Sequence, residues 1–307
     1  MIIINYLIMC LIFGTTFLAI KVGVDAGVPP FFSAGLRFFI AGLLIFSFLV
    51  RKRKTKINVL FRKEMLITGV CLTFGTFATL YWAEQFVPSG IAAVLSATGP
   101  ILILAIQTII LKKRGNKKAF IGCVVGVIGV TLLIIPGFSS DMSPFWKIGC
   151  CAIIIGEIFY ACGTIYTRHV IRQFATDSPI ALNAAQMMHG GILLVILSFF
   201  TENIQLTNFF SPAAFGSMLY LIIFGSMAGH SLYYWLVSQT NPVFPSTWLY
   251  ISPLIAVVLG VVFYHEYISW LTAFGALAII AGTILVNIET LRGWLLGKKI
   301  KLQGAKY

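Results

Sequence analysis

Glu157 stands in the middle of an apolar run, Ile153-Ile154-Ile155-Gly156-Glu157-Ile158-Phe159-Tyr160. A carboxylate at mid-bilayer depth is costly, so it faces a cavity, pairs with a cation or takes up a proton. Loss of water favours the protonated carboxyl, the property that a proton-coupling group needs. The bland reading is an interhelical hydrogen bond. His189 and His230 also lie in apolar stretches. Each is placed to relay protons or touch a substrate, or to hydrogen-bond a neighbouring helix. Lys21 and Arg37 flank the first loop; Lys21 is suited to attract an anionic group or to close a gate with Glu84. Arg37, several residues inside its stretch, is a further substrate-binding or coupling candidate with room to snorkel outward; the bland reading of both cations is an interface anchor. His265 and Glu266 read as gate or helix-capping groups near a loop.

Aromatic residues form a second constellation. Tyr81-Trp82 and Tyr233-Tyr234-Trp235 occupy corresponding places in the two halves of the chain, and Trp248 and Tyr250 precede Pro253. Pro100 and Pro253 each remove a backbone donor and are expected to kink their helices. Rings beside matched kinks make an apolar pocket with hydroxyl and indole N–H handles; the competing assignment is the aromatic belt at the membrane interface. Gln107 and Gln186 either line the same path or bridge helices. No HExxH, paired aspartates or GxxxxGK[ST] loop occurs, which leaves a membrane-embedded enzyme or an ATPase without its machinery. The six cysteines lie singly in apolar segments or as the adjacent pair Cys150-Cys151, and none forms a CxxC. Neither a metal site, a disulfide framework nor a cofactor is expected.

The elements that must position these residues are helices. Of 307 residues 59% are hydrophobic and 10% charged, with a mean hydropathy of +0.96; soluble globular domains average about 25% charged residues, so this chain has too few charges to cover a soluble surface. Ten apolar stretches approach the length that crosses ~30 Å of hydrocarbon. They fall near Ile2–Val24, Phe31–Val50, Met65–Ala83, Ser89–Leu111 and Ala119–Ile135, then Phe145–Tyr166, Ile180–Phe200, Pro212–Val237, Phe244–Tyr264 and Trp270–Ile288. In lipid such segments must be helical, because each backbone has to satisfy its own polar groups. The fold class is therefore an all-α polytopic membrane protein. Nineteen of the 22 lysines and arginines fall on one side if ten helices alternate, leaving Lys21, Arg37 and Lys147 for the other. The positive-inside rule then puts both termini in the cytoplasm. The formal charge of +13 thus anchors topology, touching anionic lipid heads, and does not indicate nucleic acid. The long first stretch, without a basic n-region, does not read as a cleavable signal.

The chain also repeats itself. Tyr81-Trp82 and Tyr234-Trp235, Pro100 and Pro253, Gly122 and Gly275, Gly129 and Gly282, and Leu132 and Leu285 are each separated by 153 residues. Five helices per half is an odd number, so the halves are expected to be inverted about an axis in the membrane plane, with a site at their interface. The first half spans 1–137, the second 143–290, and residues 291–307 form a basic tail; Pro136–Ser140 is the joint. Gly122 and Gly126 form a GxxxG, and Gly275, Ala278 and Gly282 form a small face. Such faces serve homodimerisation or packing within one chain.

Leu11-Ile12-Phe13-Gly14-Thr15-Thr16-Phe17-Leu18-Ala19-Ile20-Lys21, followed by Pro29-Pro30 and Leu36-Arg37-Phe38, resembles the drug/metabolite transporter superfamily in its ten-helix EamA-type branch. His265-Glu266 with Gly275 and Gly282 resembles that family's closing pattern; Lys113 stands where the first half would otherwise match Glu266. The resemblance, from about Tyr6 to Asn287, implies a secondary transporter of a small-molecule substrate in the cell membrane. It implies export of an amino acid or related compound by alternating access, with coupling that varies and H⁺ plausible through Glu157. A flippase for a lipid-linked or amphipathic molecule is the alternative.

Overall fold

The computed structural model describes residues 1–87, 89–109, 117–135, 144–204, 206–252, 254–255 and 270–295. These are helical almost throughout, and no strand occurs among them. In chain order they comprise α1 (Ile2–Asp25), α2 (Pro30–Arg51), α3 (Lys63–Ala83), α4 (Ser89–Ser96 and Gly99–Ile109) and α5 (Lys117–Ile134). The second half has α6 (Pro144–Gln173), α7 (Pro179–Thr201), α8 (Pro212–Gln239), α9 (Val243–Ser246, with 248–252 helical beyond it) and α10 (Trp270–Leu295). Six of these, α1, α2, α3, α6, α7 and α8, are long and apolar enough to cross a membrane.

Local sequence explains where the helices begin and end. Pro30, Pro179 and Pro212 open α2, α7 and α8, where a missing N–H costs nothing. The hydroxyls of Ser178 and Ser211 accept from the amides of Ile180 and Ala214 at 3.3 and 3.2 Å. α2 is capped from a distant helix end: Glu202 accepts from the amides of Phe31 and Phe32 at 2.8 and 3.0 Å. Gly27, at φ +79°, turns the chain out of α1 in the left-handed region that glycine enters without penalty.

Three features add to the sequence expectation. α6 runs for 30 residues, about 45 Å, so it overshoots the hydrocarbon and carries Arg168 and Arg172 in its last turns. α4 breaks at Ala97–Thr98, just before Pro100, where the Thr98 hydroxyl donates back to the Leu95 carbonyl at 2.7 Å. Pro253, the matching proline, lies outside the described residues. α3 and α8 contain π-helical stretches at Gly69–Gly75 and Leu221–Gly229, positions in register under the 153-residue shift.

Polarity is inverted relative to a soluble domain. Phe200, Phe215 and Trp270 are exposed, whereas Arg37, Glu157, Asn183 and Gln186 are buried. The most extensive packing joins α5 to α10 and α2 to α7, each pair linking the two halves. Glycines permit it. A Cβ on Gly122 would lie 2.7 Å from the Gly282 carbonyl, and one on Gly35 2.8 Å from the Gly191 carbonyl. The small faces of α5 and α10 are thus occupied by each other within one chain. Phe77 and His230, again 153 residues apart, face each other with ring centroids 5.8 Å apart.

Overpacking a backbone contact costs about 1–3 kcal/mol. Gly122→Val is therefore expected to lower the unfolding temperature in detergent and reduce the monodisperse fraction. Gly216→Ala, whose new methyl meets nothing within 4 Å, should leave both unchanged.

Candidate functional site

The helices line a small cavity of about 50 Å³. Its wall is drawn from α1 (Phe13, Phe17), α2 (Arg37), α3 (Leu72, Thr76, Phe77), α4 (Ser96), α6 (Glu157, Tyr160), α8 (His230, Tyr233, Tyr234) and the stretch after α9 (Trp248, Leu249). Along α1, Tyr6 shares a hydrogen bond of 2.7 Å with Thr247 and Lys21 pairs with Asp25 at 2.7 Å; none of these four residues lines the cavity. So narrow a space has to widen before it holds more than a few atoms.

Arg37 does not snorkel. It is 1% exposed, its Nε donates to the Ser226 hydroxyl at 2.8 Å and its Nη1 to the Tyr81 hydroxyl at 3.0 Å. The guanidinium also sits 4.6 Å from the Phe38 ring centroid and 5.5 Å from that of Phe77, an arrangement in which the ring faces attract the cation. Every one of these partners is neutral. Lys21 pairs with Asp25 on α1, and among the described residues no carboxylate pairs with Arg37.

Glu157, 5% exposed, faces the break in α4. Its Oε2 has no hydrogen-bond partner, and Ser96 lines the same cavity. The carboxyl occupies the space beside Gly99, where a Cβ would collide with Oε2 and come within 3.0 Å of Leu249. The break and the glycine together make room for it. Trp248, with its ring 4.6 Å from Phe13, also leaves its indole N–H unpartnered. One buried acceptor and one buried donor thus await partners in a single cavity. Buried polar groups are normally satisfied, so these are the places where a ligand would supply what the protein lacks.

Around this centre the tyrosines form a polar seam. Tyr233 shares hydrogen bonds with Thr164 at 2.8 Å and Ser246 at 3.1 Å, and Tyr160 donates to Ser246 at 3.1 Å. Tyr234 lies 3.3 Å from the Thr167 hydroxyl. His230 is ringed by Phe13, Phe38 and Phe77, with centroids 5.1–5.8 Å away. Among the described residues no three His, Cys, Asp or Glu side chains gather as a metal site would require.

The residues singled out in the sequence divide accordingly. Glu157, Arg37, His230, Tyr234 and Trp248 line the cavity, and Tyr81 reaches it through Arg37. Trp82 lies in an outer groove with Gln85 and Glu202. His189 binds the carbonyl of Ala185 at 2.9 Å in its own helix. Trp235 packs in an apolar cluster, and Tyr250 lies against Gly126 with its hydroxyl 3.5 Å from the Cys123 carbonyl. Lys21 stands at the end of α1, and Pro100 is buried at the break in α4. Sequence reasoning missed Phe13, Phe77, Ser96, Tyr160, Ser226 and Gly99. The repeat offset could have flagged Phe77 as the counterpart of His230; the others carry no signal of their own.

An all-α polytopic chain with a buried, charged cavity between its halves has the layout of a membrane transporter. The chain matches the EamA-like transporter family over residues 1–135 and 147–288, and it belongs to that family. It is 30% identical to the uncharacterized inner membrane transporter YedA of Escherichia coli K12, over 91% of this chain and 88% of that one. It is 28% identical to the uncharacterized transporter YoaV of Bacillus subtilis, over 91% and 94% of the two chains. Protein PecM of Dickeya dadantii shares 24% identity over 90% and 89%. A solved crystal structure superimposes with a TM-score of 0.74 over 94% of this chain and 98% of its own, at 17% identity, a likeness of fold.

Gly99→Ala would drive a methyl into the Glu157 carboxyl. Binding of a cavity ligand, read by ligand-induced thermal stabilisation, should weaken about tenfold or more, ~1.4 kcal/mol. Unchanged stabilisation would place the ligand elsewhere.

Proposed function

We propose that this transporter exports a small zwitterionic metabolite, an amino acid or a related compound, across the cell membrane by alternating access. The observation that carries this reading is that Arg37 and Glu157, a buried cation and a buried carboxyl, line one cavity without an ion pair between them. A substrate carboxylate suits the remaining N–H groups of Arg37, since guanidinium presents five donors in a planar fork. A substrate ammonium suits the open oxygen of Glu157. Phe13, Phe17, Phe77 and Trp248 supply an apolar wall for the side chain of the cargo.

Glu157 serves both coupling and binding in this reading. A carboxyl that accepts either a proton or an ammonium cannot hold both, so protonation from one side releases cargo and deprotonation on the other permits loading. Alternation is supported by the tightness of the present cavity and by the matched π stretches in α3 and α8. The inverted five-helix halves, 1–137 and 143–290, are likewise proposed, supported by Phe77 and His230 meeting across the interface. No feature of the described residues favours a lipid-linked cargo over a compact one. Placement in the inner or plasma membrane is supported by the printed name of the YedA relative. Both termini are proposed to be cytoplasmic on the strength of the basic loops.

Small molecules in the medium of cells expressing the wild type or Glu157→Gln give the direct test. An amino compound should accumulate outside with the wild type alone; equal release by both proteins would sink the coupling role. In proteoliposomes, Arg37→Met should weaken a carboxylate-bearing cargo about 10–100-fold, the worth of one charge-assisted hydrogen bond of ~1.5–3 kcal/mol. The matching carboxamide should change little, and an equal loss for both would remove Arg37 from carboxylate recognition. A fluorescent protein fused to the C-terminus should glow; a dark fusion present in the membrane would reverse the topology.

A further inference from the structure

Glu84, the residue that follows α3, is fully buried, and neither of its carboxylate oxygens has a hydrogen-bond partner. It is a second unsatisfied carboxyl, on a different helix from Glu157 and outside the cavity wall. An ionised carboxylate buried without partners costs several kcal/mol, so the group is held neutral until a cation reaches it. The cations nearby are otherwise engaged. On α1, the Lys21 ammonium pairs with Asp25 at 2.7 Å while also donating to the backbone carbonyl of Glu84 at 3.3 Å. On α2, Arg37 is turned to Tyr81, which sits one helical turn before Glu84 on the same face. Lys147, on the packed helix α6, is exposed. Burial pushes the Glu84 carboxyl well above the usual carboxylate range; Lys21 and Arg37 pull it down, and Asp25 pushes it up.

We propose that Glu84 is a second proton-binding site of this transporter, and that Lys21 is the cation that replaces the proton by moving from Asp25 to the Glu84 carboxylate. The geometry suits such an exchange. Lys21 already touches the Glu84 backbone, so rotation about its flexible stem suffices to bring the ammonium to the carboxylate. Asp25 is more than half exposed, so it is solvated by water when the lysine leaves. The exchange balances: the proton departs from Glu84 as the ammonium arrives, and the buried site holds no net charge in either state. Arg37 is linked to Tyr81, so the state of Glu84 is also sensed one turn from the cation that lines the cavity.

Infrared difference spectra of the full chain in lipid nanodiscs, recorded between neutral and alkaline pH, test this without any substrate. They therefore read Glu84 even if the proposed cargo is wrong. In a Glu157→Gln background, the carbonyl band of a buried protonated carboxyl should persist at neutral pH and vanish when Glu84→Gln is added. Lys21→Gln, which leaves Glu84 in place, should move the titration of that band upward by about one pH unit or more, as expected for loss of a nearby positive charge. Glu84→Asp should keep a titrating band with an altered position. A band indifferent to Glu84→Gln, or a midpoint unmoved by Lys21→Gln, would overturn the proposal. Should Glu84→Gln fail to fold, the Lys21→Gln titration decides alone.

Discussion

A guanidinium held inside the hydrocarbon without a carboxylate partner is the constraint around which the described structure is arranged. Placing arginine at that depth costs a few kcal/mol even by the mildest measures. Two charge-assisted hydrogen bonds, worth ~1.5–3 kcal/mol each, and two aromatic faces offset that cost. The donors to Ser226 and Tyr81 tie α2 to α8 and α3, so one side chain fixes three helices around the cavity. Only hydroxyls and rings are used, and the remaining N–H groups of the fork stay unmatched by protein anions. A carboxylate built into the wall would have made a tighter helix bundle and left no cation for a cargo to find.

The segments that meet Arg37 are themselves unusual. Ser226 belongs to the π stretch of α8, and the corresponding stretch of α3 ends directly before Thr76 and Phe77 in the cavity wall. In a π stretch the hydrogen-bond register is widened, and such stretches concentrate where helices work. Return to α register would rotate the residues beyond each stretch relative to those before it. In α3 these are Phe77 and Tyr81; in α8 they are His230 and Tyr234. The two halves thus carry the same mechanical element at matched positions. By contrast, the α5–α10 contact, with backbone touching backbone at Gly122 and Gly282, allows little but rigid movement.

Much of this was legible beforehand, for physical reasons that can be stated. Glu157, Arg37 and His230 announced themselves because a polar group in an apolar run is expensive and must be accounted for. The direction in which Arg37 points was not legible. Snorkelling and inward pairing cost the same to a one-dimensional sequence, and the choice was made by Ser226, 189 residues away. Ser96 and Gly99 were invisible because serine and glycine are ordinary in membrane helices; the break before Pro100 gives them their meaning. The aromatic pairs look equivalent in the sequence, yet Tyr81 serves the site through Arg37 while Trp82 and Trp235 pack away from it. The small faces of α5 and α10 were ambiguous between partners, and packing within the chain settled who occupies them. The length of α6 was underestimated because its last turns are polar, and hydropathy sees lipid contact rather than helix.

The order in which the chain is made gives the Arg37–Ser226 contact a further significance. Its two residues are 189 positions apart, whereas Tyr81 follows Arg37 after 44. At about 5–20 residues per second, the ribosome needs roughly 10–40 s to supply Ser226 after Arg37 has emerged. Through that interval α2 holds a cation short of one hydrogen-bond partner in or beside the bilayer, with tyrosine and phenylalanine as its first companions. The nascent first half is therefore an unfinished object, and its tolerance of the wait depends on the insertion machinery and on lipid headgroups as much as on its own sequence. Insertion therefore has to accommodate that arginine before its Ser226 partner has been made.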